Sequence, residues 1–467
     1  MLIFFVSLYI LTTLGIGFWA SKKIKTSSDF MLAGKNLTTP FVGVTLFATW
    51  FGSNHIMGNP DYFVDHGFSS FFSLVITGGL SLVVVGAFYA KKLYRLNIVT
   101  VGDFFKLKYN KRIDTVISII LILAYPLWIA SQLVALAILF QEVMAISFTG
   151  GLLLGASIVV LYTYIGGMWA VSYTDMLQSI LILLGLVILL LFVFNKVESV
   201  TALFADKPSS FFSLLPTNNL AGWSEYIAVI LALFVGSIPG QEIYQRIFSA
   251  KSENAAKNGL YLAALLIVVV PVIPALIALA AANLHPELIY PGHQNILSNF
   301  VSNYTNLPIK ILFYGALISA ILSTASGALL APATIIGENL IKARNPAIND
   351  KTLLLWTKIS VLIIALVSVY FAFTNANIVA LLVASLSLIL VCIFAPFTFG
   401  LFWKKSTTFG AWCSILLGGG TFLFCSILRT KLDPTIYGTI ASCTAMIIGS
   451  ILTDKNYNTA PGTKLLS

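Results

Sequence analysis

Long apolar runs, separated by short polar or charged stretches, follow one another along almost the whole chain. A helix needs roughly 20 apolar residues to cross the hydrocarbon core of a membrane, which is about 30 Å thick. Runs of that kind lie near residues 2–20, 40–60, 69–92, 114–143, 147–165, 174–196, 223–245, 257–282, 307–336, 352–374, 376–401, 407–428 and 434–453. The pattern therefore predicts an all-α membrane protein with about thirteen transmembrane helices.

The composition favours lipid over water as the main solvent of the chain. Hydrophobic residues make up 58% of the 467 residues and charged residues only 9%. Such a chain has too little polar surface to cover a soluble globule, and the stretches between the apolar runs are too short for a separate soluble domain. We therefore expect residues 1–467 to form a single transmembrane domain.

The net charge of +10 raises the question of a nucleic-acid partner. The basic residues, however, stand in short clusters beside the apolar runs instead of on one soluble face. With thirteen crossings, alternate connections lie on opposite sides of the membrane, and all 27 lysines and arginines then fall on one side except Lys196, Lys207, Lys310, Arg429 and Lys431. Basic loops favour the cytoplasm. We therefore expect a plasma-membrane protein with its N-terminus outside, its C-terminus in the cytoplasm, and no nucleic-acid partner.

Two of the apolar runs contain helix-breaking residues at mid-depth. The second reads PFVGVTLFATWFGSNHIMGNPDYF, in which Gly52 precedes a polar stretch, and the seventh reads WSEYIAVILALFVGSIPGQEIYQRIF, in which Pro239 follows Gly236. Proline removes a backbone donor, and glycine tolerates unwound geometry. Non-helical backbone survives inside a membrane only where protein or a water-filled cavity satisfies it. The sequence therefore predicts that helices 2 and 7 are interrupted.

The two interrupted helices stand five crossings apart, so each can open a five-helix unit. These units cover residues 40–196 and 223–401, with an extra helix at 2–20 before them and two helices within 407–453 after them. An odd number of crossings places the second unit in the opposite orientation to the first. This layout is typical of inverted-repeat secondary transporters, whose binding site lies where the interrupted helices meet. The alternative is that glycine and proline only permit close packing and a kink.

Five motifs, in order along the chain, connect these elements with a known family. They are SSDFMLAGKNL (27–37), ATWFGSNHIMG (48–58), YTYIGGMWAVSYTDMLQ (162–178), GSIPGQEIYQRIFSAKSENAAKNG (236–259) and ISAILSTASGALLAPATIIGENL (318–340). Together they resemble the sodium/solute symporters, the family of sodium/proline, sodium/galactose and sodium/sialic acid carriers. The resemblance implies a leucine-transporter-type 5+5 inverted repeat with flanking helices.

The same resemblance implies a function. We expect a secondary active transporter that couples sodium entry to the uptake of a small polar organic solute by alternating access. Proline or another amino acid is the first candidate for the solute. Proton coupling through Asp175 or Glu242 is the alternative within the same fold.

A possible sodium site lies on the ninth helix. Ala320, Ser323 and Thr324 are spaced i, i+3 and i+4 and therefore share one helix face. The family resemblance implies that one sodium ion is bound by the carbonyls of Ala48, Phe51 and Ala320 together with the side-chain oxygens of Ser323 and Thr324. Spacing alone favours a packing stripe of small residues, with the hydroxyls bonded back to the preceding turn.

Asp175 begins the sixth apolar run within TDMLQ, a pattern that also predicts a helix cap. The resemblance gives the counterpart of Asp175 a role in the cytoplasmic exit path or in a second cation site, which Ser326 would complete. Gly327 stands where relatives that use two sodium ions carry a further hydroxyl, and this argues against a second ion. Both interpretations stay open.

Polar residues near the two interruptions are candidates for solute binding. They are Trp50, Ser53, Asn54, His55, Ser237 and Gln241. Asn54 and His55 stand where a sugar-carrying relative has a glutamate and a glutamine, which argues against a sugar carrier. Glu242 is a functional candidate because it is an acidic residue inside a membrane span. Its place near the end of the span is equally compatible with a snorkelling or a paired structural role.

Two other classes of membrane protein fit the sequence less well. An intramembrane enzyme would need paired aspartates or a metal motif on facing helices, and a sensor of this fold would need a signalling domain beyond the last helix. Neither is found in the sequence. We therefore expect no enzymatic activity and no cofactor apart from sodium as the coupling ion. The expected partners are a small polar solute, sodium and the lipid bilayer, with the monomer as the functional unit.

Overall fold

The structure is a computed structural model that describes residues 1–216, 219–289, 295–375 and 377–453. Its regular elements within these ranges are helices, and the one pairing of extended residues is an isolated bridge between Leu37 and Ala250. The principal helices are α1 Leu2–Ser21, α2 Thr39–Trp50 and Asn59–His66, α3 Phe68–Arg95, α4 Lys111–Met144, α5 and α6 within Phe148–Phe194, α7 Leu220–Ile230 and Gln241–Ser249, α8 Glu253–Leu284, α9 Leu307–Lys342, α10 Asp350–Thr374, α11 Ile378–Phe402, α12 Thr408–Leu428 and α13 Pro434–Thr453.

Helical residues extend from Phe148 to Phe194 with a kink at Gly167, which lies within the gap expected between residues 165 and 174. These 47 residues correspond to roughly 70 Å of helix, which is too long for one crossing. Gly167 interrupts the helical geometry with φ 47° and ψ −152°, and we call the parts before and after it α5 and α6. A Cβ at Gly167 would lie 2.5 Å from Cδ2 of Phe30, so the turn requires glycine both for its backbone angles and for space.

Eleven helices in the described residues are long and apolar enough to cross a membrane. That number takes Phe148–Phe194 as one helix and leaves out α2, whose first half, Thr39–Trp50, is short. The prediction of a multi-pass α-helical membrane protein is confirmed. The count of thirteen crossings stays a prediction, and it is reached only when α5 and α6 are counted separately and α2 is included.

The predicted interruption of helix 2 is present. The first half of α2 ends at Trp50, and Phe51 has the non-helical angles φ −80° and ψ 71°. The chain then turns, with the amide of Gly52 donating to the carbonyl of Trp50 at 3.0 Å. It resumes as a wide helical turn over Asn54–Gly58 before the second half begins. Asn54 and His55 therefore lie in this π-helical turn, between the unwound stretch and the second half.

Helix 7 is also interrupted, as predicted. Its first half continues from Ile230 as a π-helical segment over Leu231–Gly236, and a turn then leads to the second half, which starts at Gln241. The amide of Gly240 donates to the carbonyl of Ser237 at 2.9 Å in this turn. Pro239 lies inside the turn, where it lacks an amide hydrogen to contribute to a helix.

α9 lies at the centre of the molecule and brings the predicted sodium site with it. Every residue from Ala316 to Ile335 is buried, as expected for a helix that is apolar all round. α1 packs beside α5, α6 and α9, and the paired helices α12 and α13 lie at the periphery. The interrupted helices and α9 therefore meet in the interior, where water and lipid are both excluded.

Candidate sodium and solute sites

Helix α9 meets the first half of α2 through two hydroxyl groups. Ser323 Oγ donates to the carbonyl of Ala48 at 2.6 Å, and Thr324 Oγ1 donates to the same oxygen at 3.1 Å. Ser323 Oγ is also 3.1 Å from the carbonyl of Ala320. All four residues are 0% exposed. The structure thus brings together four of the five residues that the family resemblance assigned to sodium.

The fifth residue, Phe51, lies where the first half of α2 ends. Its ψ of 71° turns its carbonyl away from the direction that a continuous helix would give it. Next to it, a Cβ at Gly52 would lie 2.6 Å from Thr324 Oγ1 and 2.6 Å from Gln132 Oε1. The unwound backbone therefore reaches α9 and α4 only because residue 52 has no side chain.

This arrangement can bind a small hard cation. A hydroxyl has one hydrogen to donate and two lone pairs to present, so Ser323 and Thr324 can either bond Ala48 or rotate their lone pairs toward an ion. Helix-terminal carbonyls and hydroxyl oxygens are the groups with which membrane transporters coordinate sodium at interrupted helices. The packing-stripe alternative is also compatible with these contacts, because serine and threonine hydroxyls hydrogen-bond across membrane helices, so the sodium site stays a prediction.

A small internal cavity of about 40 Å³ lies between the two interrupted helices. Its lining is mainly apolar and aromatic, with a few polar groups: Trp50, Asn54, His55, Leu74, Val75, Gly78, Trp128, Leu233, Ser237, Glu242, Ile267, Leu382 and Leu386. Four of the predicted solute-binding residues, Trp50, Asn54, His55 and Ser237, are in this set. No lysine or arginine is among these described lining residues.

The other two predicted residues, Ser53 and Gln241, lie outside the cavity lining. The backbone amide of Ser53 donates to Gln132 Oε1 at 3.0 Å, which supports the unwound stretch of α2. The side-chain oxygen of Gln241 accepts from the amide of Val101 at 2.8 Å. Gln241 therefore connects the start of the second half of α7 to the short helix Val101–Lys108.

Glu242 is 2% exposed and lines the cavity. Its carboxylate accepts a hydrogen bond from Trp50 Nε1 at 3.2 Å and another from the hydroxyl of Tyr125. The ion pairs within 4.0 Å in the described part of the chain are three, and Glu242 belongs to none of them. The snorkelling interpretation of Glu242 is therefore wrong, because the carboxylate faces the interior and is held there by two donors.

His55 presents an unused polar atom in the same region. Its ring stacks on Phe51 with the centroids 5.2 Å apart, and its Nδ1 is buried without a hydrogen-bond partner. Ser237 differs, since its hydroxyl already donates to the carbonyl of Leu233 at 2.6 Å. Of the two side chains, His55 has the greater capacity for an additional hydrogen bond.

Asp175 lies inside α6 and not at its start, so the helix-cap interpretation of Thr174 and Asp175 is wrong. The helix already runs from residue 168, and Thr174 Oγ1 donates back to the carbonyl of Ala170 at 2.9 Å. Asp175 is 0% exposed and neither of its carboxylate oxygens has a hydrogen-bond partner. Ser326 Oγ donates to the carbonyl of Ser323 at 3.1 Å. The role of Asp175 and Ser326 in an exit path or second cation site stays a prediction.

Arg246 is a residue that the sequence analysis placed wrongly. Its charge was counted with the basic loops, but the side chain is 0% exposed. Its Nη2 donates to Thr49 Oγ1 at 2.8 Å and its Nη1 to the carbonyl of Glu242 at 3.4 Å. The positive-inside argument therefore loses one charge. The position of Arg246 directly after the seventh run, four residues after Glu242, was the available signal.

Gln132 and Tyr125 of α4 were also missed. Both are buried, and each supports one of the interruption-site residues through a hydrogen bond, Gln132 to Ser53 and Tyr125 to Glu242. A polar side chain in a long apolar run is a functional candidate by default. Applying that rule to the fourth run would have identified Gln132.

A second and larger cavity of about 950 Å³ lies toward the end of the molecule that carries residues 207–216. It is lined by acidic and basic side chains, among them Asp65, Lys207, Glu225 and Arg429. Leu74 lines both this larger cavity, which we call the vestibule, and the smaller cavity. The two cavities therefore adjoin at Leu74.

Comparison with known proteins identifies the class of this molecule. A model described as "Sodium:solute symporter family" matches residues 30–418, and the chain belongs to that family. Members of the family are transporters and not enzymes, and sodium-coupled symport of a solute is accordingly the function of the class.

Individual relatives differ in the solute that their names state. The high-affinity choline transporter 1 of Caenorhabditis elegans is 26% identical over 436 residues, which are 86% of this chain and 74% of that protein. The sodium/proline symporter of Escherichia coli (strain K12) is 27% identical over 447 residues, or 89% of this chain and 86% of that protein. The two identities are too similar to decide between the two solutes.

Solved structures confirm the predicted fold. A Na⁺-coupled sialic acid symporter in a substrate-bound, outward-open state superposes with a TM-score of 0.82 at 20% identity, covering 97% of this chain and 98% of that one. A nucleobase-cation-symport-1 transporter in a closed conformation gives a TM-score of 0.63 at 15% identity, with 94% and 97% covered. The molecule is thus an all-α transporter of the leucine-transporter type.

Proposed function

We propose that this chain uses an inward sodium gradient to take up a small organic cation, namely choline or a related quaternary ammonium compound. The observation that carries the proposal is the carboxylate of Glu242 at a cavity whose described lining includes the indoles of Trp50 and Trp128 and no lysine or arginine. The similarity to choline transporters supports it.

The chemistry of a quaternary ammonium group suits this lining. The face of an indole attracts a cation, and the attraction is larger when water is excluded. The carboxylate of Glu242 adds a negative charge while its hydrogen-bonding capacity is partly used by Trp50 and Tyr125. A quaternary ammonium group has no N–H to donate, so it needs charge and apolar contact but no free acceptor.

The cavity must widen to admit such a solute. Its volume of about 40 Å³ is far below the roughly 300–1,000 Å³ of typical binding pockets for small organic molecules. Leu74 lines both cavities, and its displacement would join the solute cavity to the vestibule. Alternating access would then open this side to admit the solute and close it again before release on the other side.

The proposal also assigns the coupling ion, the exit path and the orientation in the membrane. Ala48, Phe51, Ala320, Ser323 and Thr324 would bind the coupling sodium ion, as the convergence of the two hydroxyls on Ala48 supports. Asp175 and Ser326 would belong to the exit path or to a second cation site. The chain would act as a monomer in the plasma membrane with its N-terminus and the vestibule outside.

A zwitterionic amino acid such as proline is the second candidate solute. The unpartnered Nδ1 of His55 and the amide of Asn54 could donate to a carboxylate, while Glu242 would face the ammonium group. The similarity to sodium/proline symporters supports this candidate. It differs from the first in requiring a donor at residues 54 or 55.

Uptake into proteoliposomes tests both candidates. Vesicles loaded with potassium are diluted into medium of the same potassium concentration with or without added sodium, so that valinomycin holds the membrane potential near zero in both, and radiolabelled choline or proline is added. We expect choline to accumulate only with inward sodium. Accumulation of proline alone would favour the second candidate, accumulation in potassium driven by external acid would favour proton coupling, and accumulation of neither solute would overturn both candidates.

A further inference from the structure

Three consecutive residues of α2 are each held by a different part of the molecule. The carbonyl of Ala48 accepts from the two α9 hydroxyls of the sodium site. Next to it, Thr49 Oγ1 accepts from Arg246, and then Trp50 Nε1 donates to Glu242. Thr49 and the cavity residue Trp50 therefore lie between Ala48 and Phe51, the two α2 residues whose carbonyls are assigned to sodium.

The hydroxyl of Thr49 has a defined direction. Its oxygen lies 2.8 Å from the carbonyl of Thr45, to which it donates its only hydrogen. A lone pair is then left for the guanidinium of Arg246, whose Nη2 is 2.8 Å away. The contact is thus a charge-assisted hydrogen bond of fixed polarity, and it joins α2 to the second half of α7.

Space for the guanidinium is provided by α9. A Cβ at Gly327 would lie 2.8 Å from Nη2 of Arg246 and 2.7 Å from Thr49 Oγ1. Gly327 stands three and four residues after Thr324 and Ser323, one helical turn from the sodium ligands. The guanidinium therefore lies where α2, α7 and α9 meet, one helical turn along α9 from the proposed sodium ligands.

A buried arginine requires compensating partners, because transferring its charge out of water is unfavourable. Asp175 of α6 and Glu242 of α7 are the carboxylates that act on it electrostatically. Arg246 Nε has no hydrogen-bond partner, so the guanidinium is held mainly through Thr49 and the carbonyl of Glu242. Of the groups that hold Arg246, Thr49 adjoins Ala48 of the proposed sodium site, and Glu242 lines the solute cavity.

We propose that Arg246 is a positioning residue that couples sodium binding to solute binding. Through its hydrogen bond to Thr49, Arg246 fixes the orientation of the first half of α2 relative to α7. A sodium ion that draws the carbonyl of Ala48 toward α9 would therefore also position the indole of Trp50 against Glu242. The inference rests on the sodium and solute sites proposed above, and it does not depend on which solute the cavity accepts.

Sodium alone is sufficient for a first test. Hydrogen–deuterium exchange of the full chain in lipid nanodiscs is compared in sodium and in potassium. Thr49→Val removes the acceptor for Arg246 while keeping the shape, and Thr45→Val is the matched control, since Thr45 is equally buried and bonds only within its own helix at 3.4 Å. Arg246→Lys keeps the charge but loses the planar guanidinium.

In the native chain and in Thr45→Val, we expect sodium to slow exchange at 318–326 and also at Gln241–Ser249. In Thr49→Val the effect should persist at 318–326 and be lost at Gln241–Ser249. A sodium effect of full size at Gln241–Ser249 in Thr49→Val, or none there in the native chain, would overturn the coupling role. Absence of any sodium effect at 318–326 in the native chain would instead overturn the sodium site, and with it the proposed function.

Solute binding provides the quantitative readout. The affinity for choline, or for proline if only proline is accumulated, is measured at low and at saturating sodium. Couplings between sites are commonly 5–150-fold, and we expect a ratio in that range for the native chain and a ratio at least fivefold smaller for Thr49→Val. Sodium affinity measured without solute should change less than twofold. A merely structural defect would lower both affinities and leave their ratio unchanged, which would contradict the proposal.

Discussion

The indole nitrogen of Trp50 donates a hydrogen bond to the carboxylate of Glu242 at 3.2 Å, and this bond joins the two interrupted helices across the solute cavity. Trp50 is the last residue of the first half of α2, and Glu242 is the second residue of the second half of α7. Since the phenol of Tyr125 holds the same carboxylate, three helices determine where the negative charge lies.

Replacement of this charge should test whether Glu242 binds the solute. Glu242→Gln keeps the size of the side chain and its acceptor oxygen but removes the charge that faces a cationic solute. We expect the KM for choline to rise at least tenfold, which corresponds to about 1.4 kcal/mol of binding free energy. The KM is measured from initial rates of uptake at saturating sodium. Glu253→Gln removes the exposed ion pair with Arg95 and should change the KM little; equal effects of both substitutions would contradict the assignment.

The sodium site predicts a change in sodium dependence instead of solute dependence. Ser323→Ala and Thr324→Ala each remove one of the proposed oxygen ligands, so the sodium concentration for half-maximal uptake should rise by about tenfold or more. Ser368→Ala is the control, because Ser368 is equally buried and bonds only to the carbonyl of Ile364 in its own helix. If the sodium requirement stayed the same in both α9 variants, the packing-stripe interpretation would be preferred.

The support that Gln132 gives to the unwound stretch of α2 should appear in stability. Gln132→Leu leaves the buried amide of Ser53 without its acceptor, and an unsatisfied buried donor costs about 1–3 kcal/mol. We expect a lower unfolding temperature in detergent and a weaker stabilisation by sodium. Gln141→Leu makes the same replacement at an exposed position of the same helix and should leave both quantities nearly unchanged. Similar losses in the two variants would mean that Gln132 has no special role.

The turn between α5 and α6 should not tolerate a side chain. Gly167 has a positive φ, and a Cβ there would lie 2.5 Å from Phe30. Gly167→Ala should therefore reduce the yield of monodisperse protein and its unfolding temperature. Gly420→Ala places a Cβ where nothing lies within 4 Å, and replacing a helical glycine by alanine there should be neutral or stabilise by up to about 1 kcal/mol. A stable Gly167→Ala variant would show that the turn can relax.

Local chemistry explains why the interruptions could be predicted. Gly52, Gly236 and Pro239 act on their own backbone, so their effect is visible in the sequence. The position of the break was predicted less well, since the polar residues Asn54 and His55 lie in the π-helical turn that follows the break. The hydrogen bonds that determine this position come from residues of other helices, Gln132 among them.

Some site residues could be predicted from local sequence, and others could not. Ser323 and Thr324 share a helix face by spacing, and their motif indicated a cation. That Gln241 contacts Val101, and that Arg246 lies in the interior beside Thr49, depends on how α7 packs against its neighbours. In the sequence, Gln241 and Arg246 lie close to the predicted membrane surface. A basic side chain at that depth usually reaches water, so the sequence did not indicate that Arg246 is buried.

The sequence by itself determined the membrane class, the family and the two interrupted helices, because lipid imposes long apolar runs and backbone chemistry acts within a few residues. Tertiary structure alone decided which polar groups meet: Ala48 with Ser323 and Thr324, and Glu242 with Trp50 and Tyr125. These partners are far apart along the chain. They come together only because every polar group buried from water must find a partner in the folded molecule.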